Sequence, residues 1–229
     1  MKAHSQRPLS VVIVAAGEAR RMAAGVRKPW LTVAGDAVVA HTVRRFASLD
    51  ITREIVLVVH PDDLPRAESL RERFADLAVT AGGATRVASV RNGLALVAPD
   101  ADLIAVHDGV RPLVTEDVIR RVVERARDTG AAIPVVPVRA TLKEVEGEGD
   151  RIVRTAPRER LFEAQTPQVF RAELLRRAYE KAADTDDVTD DAQLVERLGL
   201  PVATVPGSVH NIKITTPEDL KLAEILLAR

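Results

Sequence analysis

The sequence predicts an α/β protein with a mostly parallel sheet flanked by helices, and three observations carry that prediction. Short apolar, β-branched runs recur, as in Leu9–Val14, Ile55–Val59 and Leu103–Val106. Segments with helical spacing separate them. Glycine-bearing turns close the runs, as at Gly17, Gly82-Gly83 and Gly109. Strands that lack polar alternation are buried on both faces, which is the condition of a parallel sheet covered by helices.

In chain order, Leu9–Val14 is the first strand, ended by Ala15-Ala16-Gly17. The run up to Ala16 reads as a core strand in preference to a cleaved leader, since no stop-transfer flank follows. Val39–Leu49 places Val39, Val43, Phe46 and Ala47 on one helical face. Ile55–Val59 is a buried strand, and Pro61 to Phe74 is polar with helical spacing. Leu77–Val79 is a short strand before Gly82-Gly83, and Arg86 to Val97 is a helix with Val87, Val90, Leu94 and Val97 in register. Leu103–Val106 is another buried strand. Thr115 is placed to cap a helix that runs to about Asp128 and stops at Gly130. Ala131–Val138 is a strand interrupted by Pro134 and Pro137. Leu142–Val145 and Ile152–Thr155 alternate around a Gly/Glu/Asp turn and predict a hairpin. An isolated hairpin is marginal in water, so it should pack on its own domain or on a second subunit. Helices over Ala172–Lys181 and Thr189–Leu198, a strand over Val202–Val205, a strand over Ile212–Thr215 and a last helix capped by Thr216 complete the chain.

Composition removes several function classes. The 229 residues are 46% hydrophobic and 29% charged, so a folded chain is expected. Lys and Arg total 33, as do Asp and Glu, and a bulk nucleic-acid binder would carry a basic excess. There is no Cys, which excludes a disulfide scaffold, a thiolate metal site and a cysteine nucleophile and suits a cytoplasmic location. No apolar run approaches the roughly 20 residues of a membrane helix. Only six basic residues are lysines, so Lys28 and Lys213 stand out against an arginine-rich background.

In an open parallel sheet, ligands bind beyond the carboxyl ends of the strands. The loop after the first strand is rich in small residues and carries Arg20, Arg21, Arg27 and Lys28, which suits an anion. It lacks the Walker A and dinucleotide-binding patterns. Asp108 ends a strand and is placed to hold Mg²⁺, whereas His107 reads as a structural histidine. Lys213 among apolar neighbours is costly unless it faces a cleft. Thr189-Asp190-Asp191 is open to two readings, a ligand site or a helix cap, and capping explains it without any ligand. Ser89 and Ser208 have no recognisable base partner, so several cations with one carboxylate suit nucleotidyl transfer better than covalent catalysis.

Eight segments then carry a resemblance: Ala15-Ala16-Gly17 with Arg20-Arg21-Met22, Lys28, Gly82-Gly83 with Arg86 and Ser89-Val90, Val106 to Pro112, Pro137-Val138 with Thr141-Leu142-Lys143, Gln165 to Phe170, Thr189 to Ala192, and Asn211 to Leu220. From about Val11 to Leu220 the chain resembles the 2-C-methyl-D-erythritol 4-phosphate cytidylyltransferase family of the non-mevalonate isoprenoid pathway. The resemblance implies a Rossmann-like sheet and CMP transfer from CTP to methylerythritol 4-phosphate, with Mg²⁺ or another divalent ion. It implies Arg21, Lys28 and Lys213 as catalytic cations and Ala15, Ala16, Gly17, Gly83 and Ser89 around the nucleotide. Asp108 would support Mg²⁺ and substrate, braced by Arg111; Thr141, Arg158, Thr166 and Thr189 would complete the acceptor side. Residues 1–229 would form a single cytidylyltransferase domain, with 139–157 as a protruding β-hairpin arm for homodimerisation. No nucleic-acid or membrane partner and no fused second enzyme is expected. The chain departs from the family's usual pattern at Ala19, at Arg27 before the catalytic Lys, and at Ala84. A ribitol 5-phosphate cytidylyltransferase would share fold and nucleotide loop. A non-catalytic nucleotide-binding regulatory protein is a third reading, opposed by the joint presence of Arg21, Lys28, Asp108 and Lys213.

Overall fold

The computed structural model describes residues 8–17, 25–184 and 187–228. Alternation along the first strand organises the molecule. In β1 (Leu9–Ala15), Leu9, Val11, Ile13 and Ala15 point to one side and Val12 to the other, all buried. The period of 2 thus divides a continuous apolar run between two cores. The first core takes the apolar faces of α1 (Val38–Ala47), α2 (Leu64–Arg71) and α4 (Glu116–Thr129). The second takes α3 (Arg86–Leu96), α5 (Ala172–Lys181) and α6 (Ala192–Arg197). The result is a three-layer α/β/α arrangement.

In the main sheet β1 pairs parallel with β4 (Thr52–Val59) and β6 (Leu103–Asp108), and β4 pairs parallel with β5 (Leu77–Ala81). On the far side, β11 (Gln168–Arg171) pairs antiparallel with both β6 and β7 (Ala131–Pro137). Strand β10 (Phe162–Ala164) pairs antiparallel with the end of β7, and β12 (Ala203–Pro206) pairs parallel with it. The expected mostly parallel sheet is therefore present. Its short antiparallel strands β10 and β11 have no strand signal in the sequence. Pro134 and Pro137 sit within β7 without ending it.

Caps follow the sequence at two helices. The Thr115 side chain accepts from the Val118 amide, and Gly130 closes α4 at φ 89°. Thr216 and Asp219 form a capping box at the start of α7 (Pro217–Leu227). Two expectations are corrected. Ile212–Thr215 is not a strand; it is an extended segment tied by one backbone bond, Ile214 N–H to the Val110 carbonyl (2.9 Å), with Ile214 buried beside Val33, Val38 and Leu113. Helix α6 begins at Ala192, not Thr189, because the Gln168 side-chain oxygen accepts the amides of Asp191 (3.0 Å) and Ala192 (2.9 Å) from a distant strand.

Strands β8 (Leu142–Glu146) and β9 (Arg151–Ala156) form a two-stranded hairpin separate from the main sheet. A second small ribbon, β2 (Thr32–Val33) with β3 (Asp36–Ala37), follows the 3-10 turn Lys28–Trp30 and was not foreseen. Among the described residues, no helix is long and apolar enough to cross a membrane.

Candidate active site

A cavity of about 630 Å³ opens beyond the carboxyl ends of β1, β4, β5 and β6. Its lining includes Ala15, Ala16, Gly17, Lys28, His60, Gly82, Gly83, Arg86, Ser89, Asp108 and Lys213. Each strand contributes at the point where its pairing ends, so the sheet's shared direction aligns the functional loops.

The glycine turn after β5 is shaped by contact. A Cβ on Gly82 would run into the Ala16 methyl and the Ser89 hydroxyl, so only glycine lets this turn approach β1. Ser89, almost fully buried, holds the turn from beneath. Its hydroxyl donates to the Thr85 carbonyl (2.8 Å) and accepts the Gly83 amide (3.1 Å).

Asp108 ends β6, and one carboxylate oxygen takes both Arg111 Nε (2.9 Å) and Lys213 Nζ (3.2 Å). Burial alone would raise its pKa. The Lys213 ammonium and Arg111 guanidinium outweigh burial and hold it at about 2. Arg111 also donates to the Asn211 carbonyl (2.8 Å), which joins the Asp108 loop to the segment carrying Lys213.

His107 is the structural histidine expected. It is fully buried, edge-on to Phe46 at 4.9 Å, and burial pushes its pKa down to about 4. The neutral ring has one tautomer compatible with its partners. Nε2 donates to the Arg111 carbonyl (3.1 Å), leaving Nδ1 to accept from the Thr166 hydroxyl (2.9 Å). The same hydroxyl oxygen accepts the Asp108 amide (3.1 Å). Thr166 thus fixes the backbone of Asp108 from below.

A second network supports Arg86. Its guanidinium pairs bidentately with the fully buried Asp191 (3.0 and 2.5 Å), which also takes the Tyr179 hydroxyl (2.5 Å). Burial opposes the Arg86 charge, and Asp191 more than compensates, so its pKa lies above the ordinary arginine value. In the sequence, the one sign of a site role for Arg86 is its place just after Gly82-Gly83.

Of the residues named from sequence, the fold brings Ala15, Ala16, Gly17, Lys28, Gly83, Ser89, Asp108 and Lys213 to one cavity, with Arg111 and Thr166 directly behind Asp108. Arg21, with Glu18, Ala19 and Arg20, lies outside the described residues. Arg27, grouped with the anion-binding cations, instead ion-pairs with Asp62 (2.6 Å) and Asp63 (3.1 Å). Thr141, Arg158 and Thr189 are exposed and do not line the cavity of this chain. The Arg158 guanidinium donates to the Arg139 carbonyl at the base of the hairpin.

Asp108 was also named as the metal residue. Ionised, it suits a hard cation, and among the described residues both of its side-chain contacts fall on Oδ2, leaving Oδ1 open. Among the described residues, no group of three or more His, Cys, Asp or Glu could form a cage of protein ligands. One carboxylate beside an anion pocket is the pattern of Mg²⁺ held mainly by phosphate oxygens and water.

Comparison with known proteins agrees over nearly the whole chain. The family model for 2-C-methyl-D-erythritol 4-phosphate cytidylyltransferase matches residues 9–229. A protein of that name from Syntrophus aciditrophicus is 44% identical over 229 residues, covering 97% of both chains. One from Dehalococcoides mccartyi strain CBDB1 is 44% identical, covering 96% of each. Among solved structures, the 4-diphosphocytidyl-2C-methyl-D-erythritol synthase of Anaerococcus prevotii aligns with a TM-score of 0.84 at 32% identity, covering 96% of each chain. The Thermus thermophilus cytidylyltransferase aligns at 0.82 and 38%, covering 96% of this chain and 98% of that one. The chain belongs to the 2-C-methyl-D-erythritol 4-phosphate cytidylyltransferase family.

Proposed function

We propose that this protein transfers CMP from CTP to 2-C-methyl-D-erythritol 4-phosphate, giving 4-diphosphocytidyl-2-C-methyl-D-erythritol and pyrophosphate. The observation that carries the reading is the meeting of Lys28, Asp108 and Lys213, from three distant segments, with two glycine turns in one cavity. A phosphate oxygen of the acceptor attacks the α-phosphorus of CTP. The new P–O bond forms as the bond to the β-phosphate breaks, and pyrophosphate leaves with the electron pair.

Such a reaction needs positioning and charge neutralisation more than a nucleophile on the protein. The backbone of Ala15, Ala16 and Gly17 approaches the phosphates at the end of β1. The Gly83 turn, held by Ser89, receives the cytosine. Lys28, Lys213 and Arg21 stabilise the charge that grows on the α-phosphoryl oxygens. Asp108 would hold Mg²⁺, which when bound neutralises triphosphate charge. Arg111 and Thr166 keep that carboxylate in place.

The acceptor side is completed by dimerisation of a single domain through residues 139–157. Val145, Ile152, Val153, Leu161 and Phe162 on and beside the hairpin are exposed apolar side chains, which favours burial against a second copy. Thr141 and Arg158 then serve the partner's site, and Thr189 borders the acceptor. The protein works in the cytoplasm.

The test is pyrophosphate release by the purified protein with CTP and Mg²⁺, comparing methylerythritol 4-phosphate with ribitol 5-phosphate. Release with the first alone supports the proposal. Preference for ribitol 5-phosphate retains the chemistry and replaces the acceptor, and silence with both removes the activity.

A further inference from the structure

Lys28 stands on a short segment that the sheet does not hold. It lies in the 3-10 turn Lys28–Trp30, outside every strand of the main sheet. Pro29 is buried and Trp30 packs on the first core; what ties the turn to the opposite rim of the site is its capping residue, Arg27. The Arg27 guanidinium reaches Asp62 Oδ2 (2.6 Å) and Asp63 Oδ1 (3.1 Å) on a second 3-10 turn, Pro61–Asp63. That second turn follows β4 and presents His60 and Pro61 to the cavity that Lys28 and Pro29 also line. The ion pair therefore joins two rims of one cavity: Arg27 is one residue from Lys28, and Asp62 and Asp63 are one and two residues from Pro61.

An exposed ion pair would contribute little. Here the two carboxylates differ. The Asp62 side chain is 69% exposed, but that of Asp63 is 8% exposed. The other Asp63 oxygen, Oδ2, is buried and has no hydrogen-bond partner among the described residues. Losing the arginine would leave a buried carboxylate without its counter-ion, which is the costly way to break a pair. The far end of the segment is fastened as well. Asp36 in β3 pairs with Arg44 of α1 (2.6 Å) and with Arg73 just beyond α2.

We infer that Arg27 is a positioning residue for the catalytic Lys28, acting as a latch through Asp63 that sets the distance between the Lys28 turn and the His60–Pro61 rim. This rests on the activity proposed above and adds a residue to it. Arg27 touches no reacting group; it determines where the Lys28 ammonium stands, and misplacement by about 1 Å costs on the order of 100-fold in rate.

Trp30 makes the latch measurable without catalysis. It is the sole tryptophan of the chain, it lies in the same turn as Lys28, and its amide bonds to the Arg27 carbonyl (2.9 Å). The experiment compares the full-length wild type with Arg27→Met, Arg27→Lys, Asp63→Asn, Asp62→Asn and the Arg27→Met/Asp63→Asn double variant. The readouts are kcat, KM for CTP, Trp30 emission with iodide quenching, and the far-UV circular dichroism spectrum. Arg27→Met should lower kcat roughly 10- to 100-fold with KM for CTP changed less than about 3-fold, the sign of a lost transition-state contact. Trp30 should become more accessible to iodide, with secondary structure retained. Arg27→Lys should recover part of the rate, since an ammonium cannot span both carboxylates. Asp63→Asn should match Arg27→Met, the double variant should be no worse than either single change, and Asp62→Asn should stay within about 3-fold of wild type. Unchanged kcat and Trp30 quenching in Arg27→Met would overturn the inference, and so would fully additive losses in the double variant. If Arg27→Met does not fold, Asp63→Asn decides by the same readouts. A wild type that releases no pyrophosphate would remove the proposed activity, and Trp30 quenching would still decide the latch.

Discussion

Replacing Lys213 with Met tests the electrostatics of the site in two independent ways. The stem is kept and only the ammonium is removed. That ammonium lies 3.2 Å from the Asp108 carboxylate and is the strongest favourable charge acting on it. With Arg111 it holds Asp108 at about 2, against an ordinary value of 3.8, a difference worth roughly 2 kcal/mol of folding stability at neutral pH. Arg111 remains in the variant but so does the opposing burial, so at least half of that net gain, about 1 kcal/mol or more, should be lost. For a chain of this size that is about 2–4 °C in Tm. The sign follows from the lowered pKa. The stabilisation is complete above the unfolded value near 4 and disappears as pH falls towards about 2. The Tm gap between wild type and Lys213→Met should therefore be constant from neutral pH down to about pH 5 and then close. Catalysis should suffer far more, with kcat down by about 10²–10³, the usual loss when a donor to a developing oxyanion is removed. Pyrophosphate release and scanning calorimetry at several pH values make both measurements. A variant within about 3-fold of wild-type kcat, or a Tm gap unchanged at pH 3, would refute the reasoning.

Asp191→Asn leaves Arg86 without its buried counter-ion and should cost about 3–5 kcal/mol, read as the midpoint shift in urea. Gly82→Ala places a methyl against Ala16 and Ser89 and should destabilise by about 1–3 kcal/mol while weakening CTP binding in calorimetric titration. If the hairpin dimerises as proposed, Ile152→Asp with Val153→Asp should convert that dimer to monomer in sedimentation and, through Thr141 and Arg158, raise KM for the acceptor with little change in that for CTP.

Where the sequence announced structure, it did so through patterns that depend on near neighbours. β1, β4 and β6 are long enough, and apolar enough on both faces, to be visible without knowing their partners. Thr115, Gly130 and Thr216 act within one turn of their helices. β10 and β11 were hidden because their pairing with β7 is set by tertiary contact, and Gln168 serves there as a remote helix cap. Ile212–Thr215 has the composition of a strand, yet among the described residues it pairs with no other strand, and composition cannot report that. For the site, Lys28, Asp108 and Lys213 were legible because each is unusual in its setting. Arg86 was not, since its meaning depends on Asp191, a hundred residues away in the chain. Arg27 was read as one more cation of an anion loop because its carboxylate partners follow a different strand.

The burial of His107 has a consequence for how the enzyme would respond to acidity. Its ring is wedged edge-on against Phe46 and bonded at both nitrogens, with a pKa near 4, and the neighbouring Asp108 titrates near 2. Neither group changes charge between about pH 6 and 8. The acceptor does, because a phosphate monoester releases its second proton near pH 6. An inflection in rate near pH 6 then belongs to neither His107 nor Asp108, which act as bystanders. Acceptors with different phosphate acidities identify the group responsible: an inflection that belongs to the substrate should shift by the difference between them.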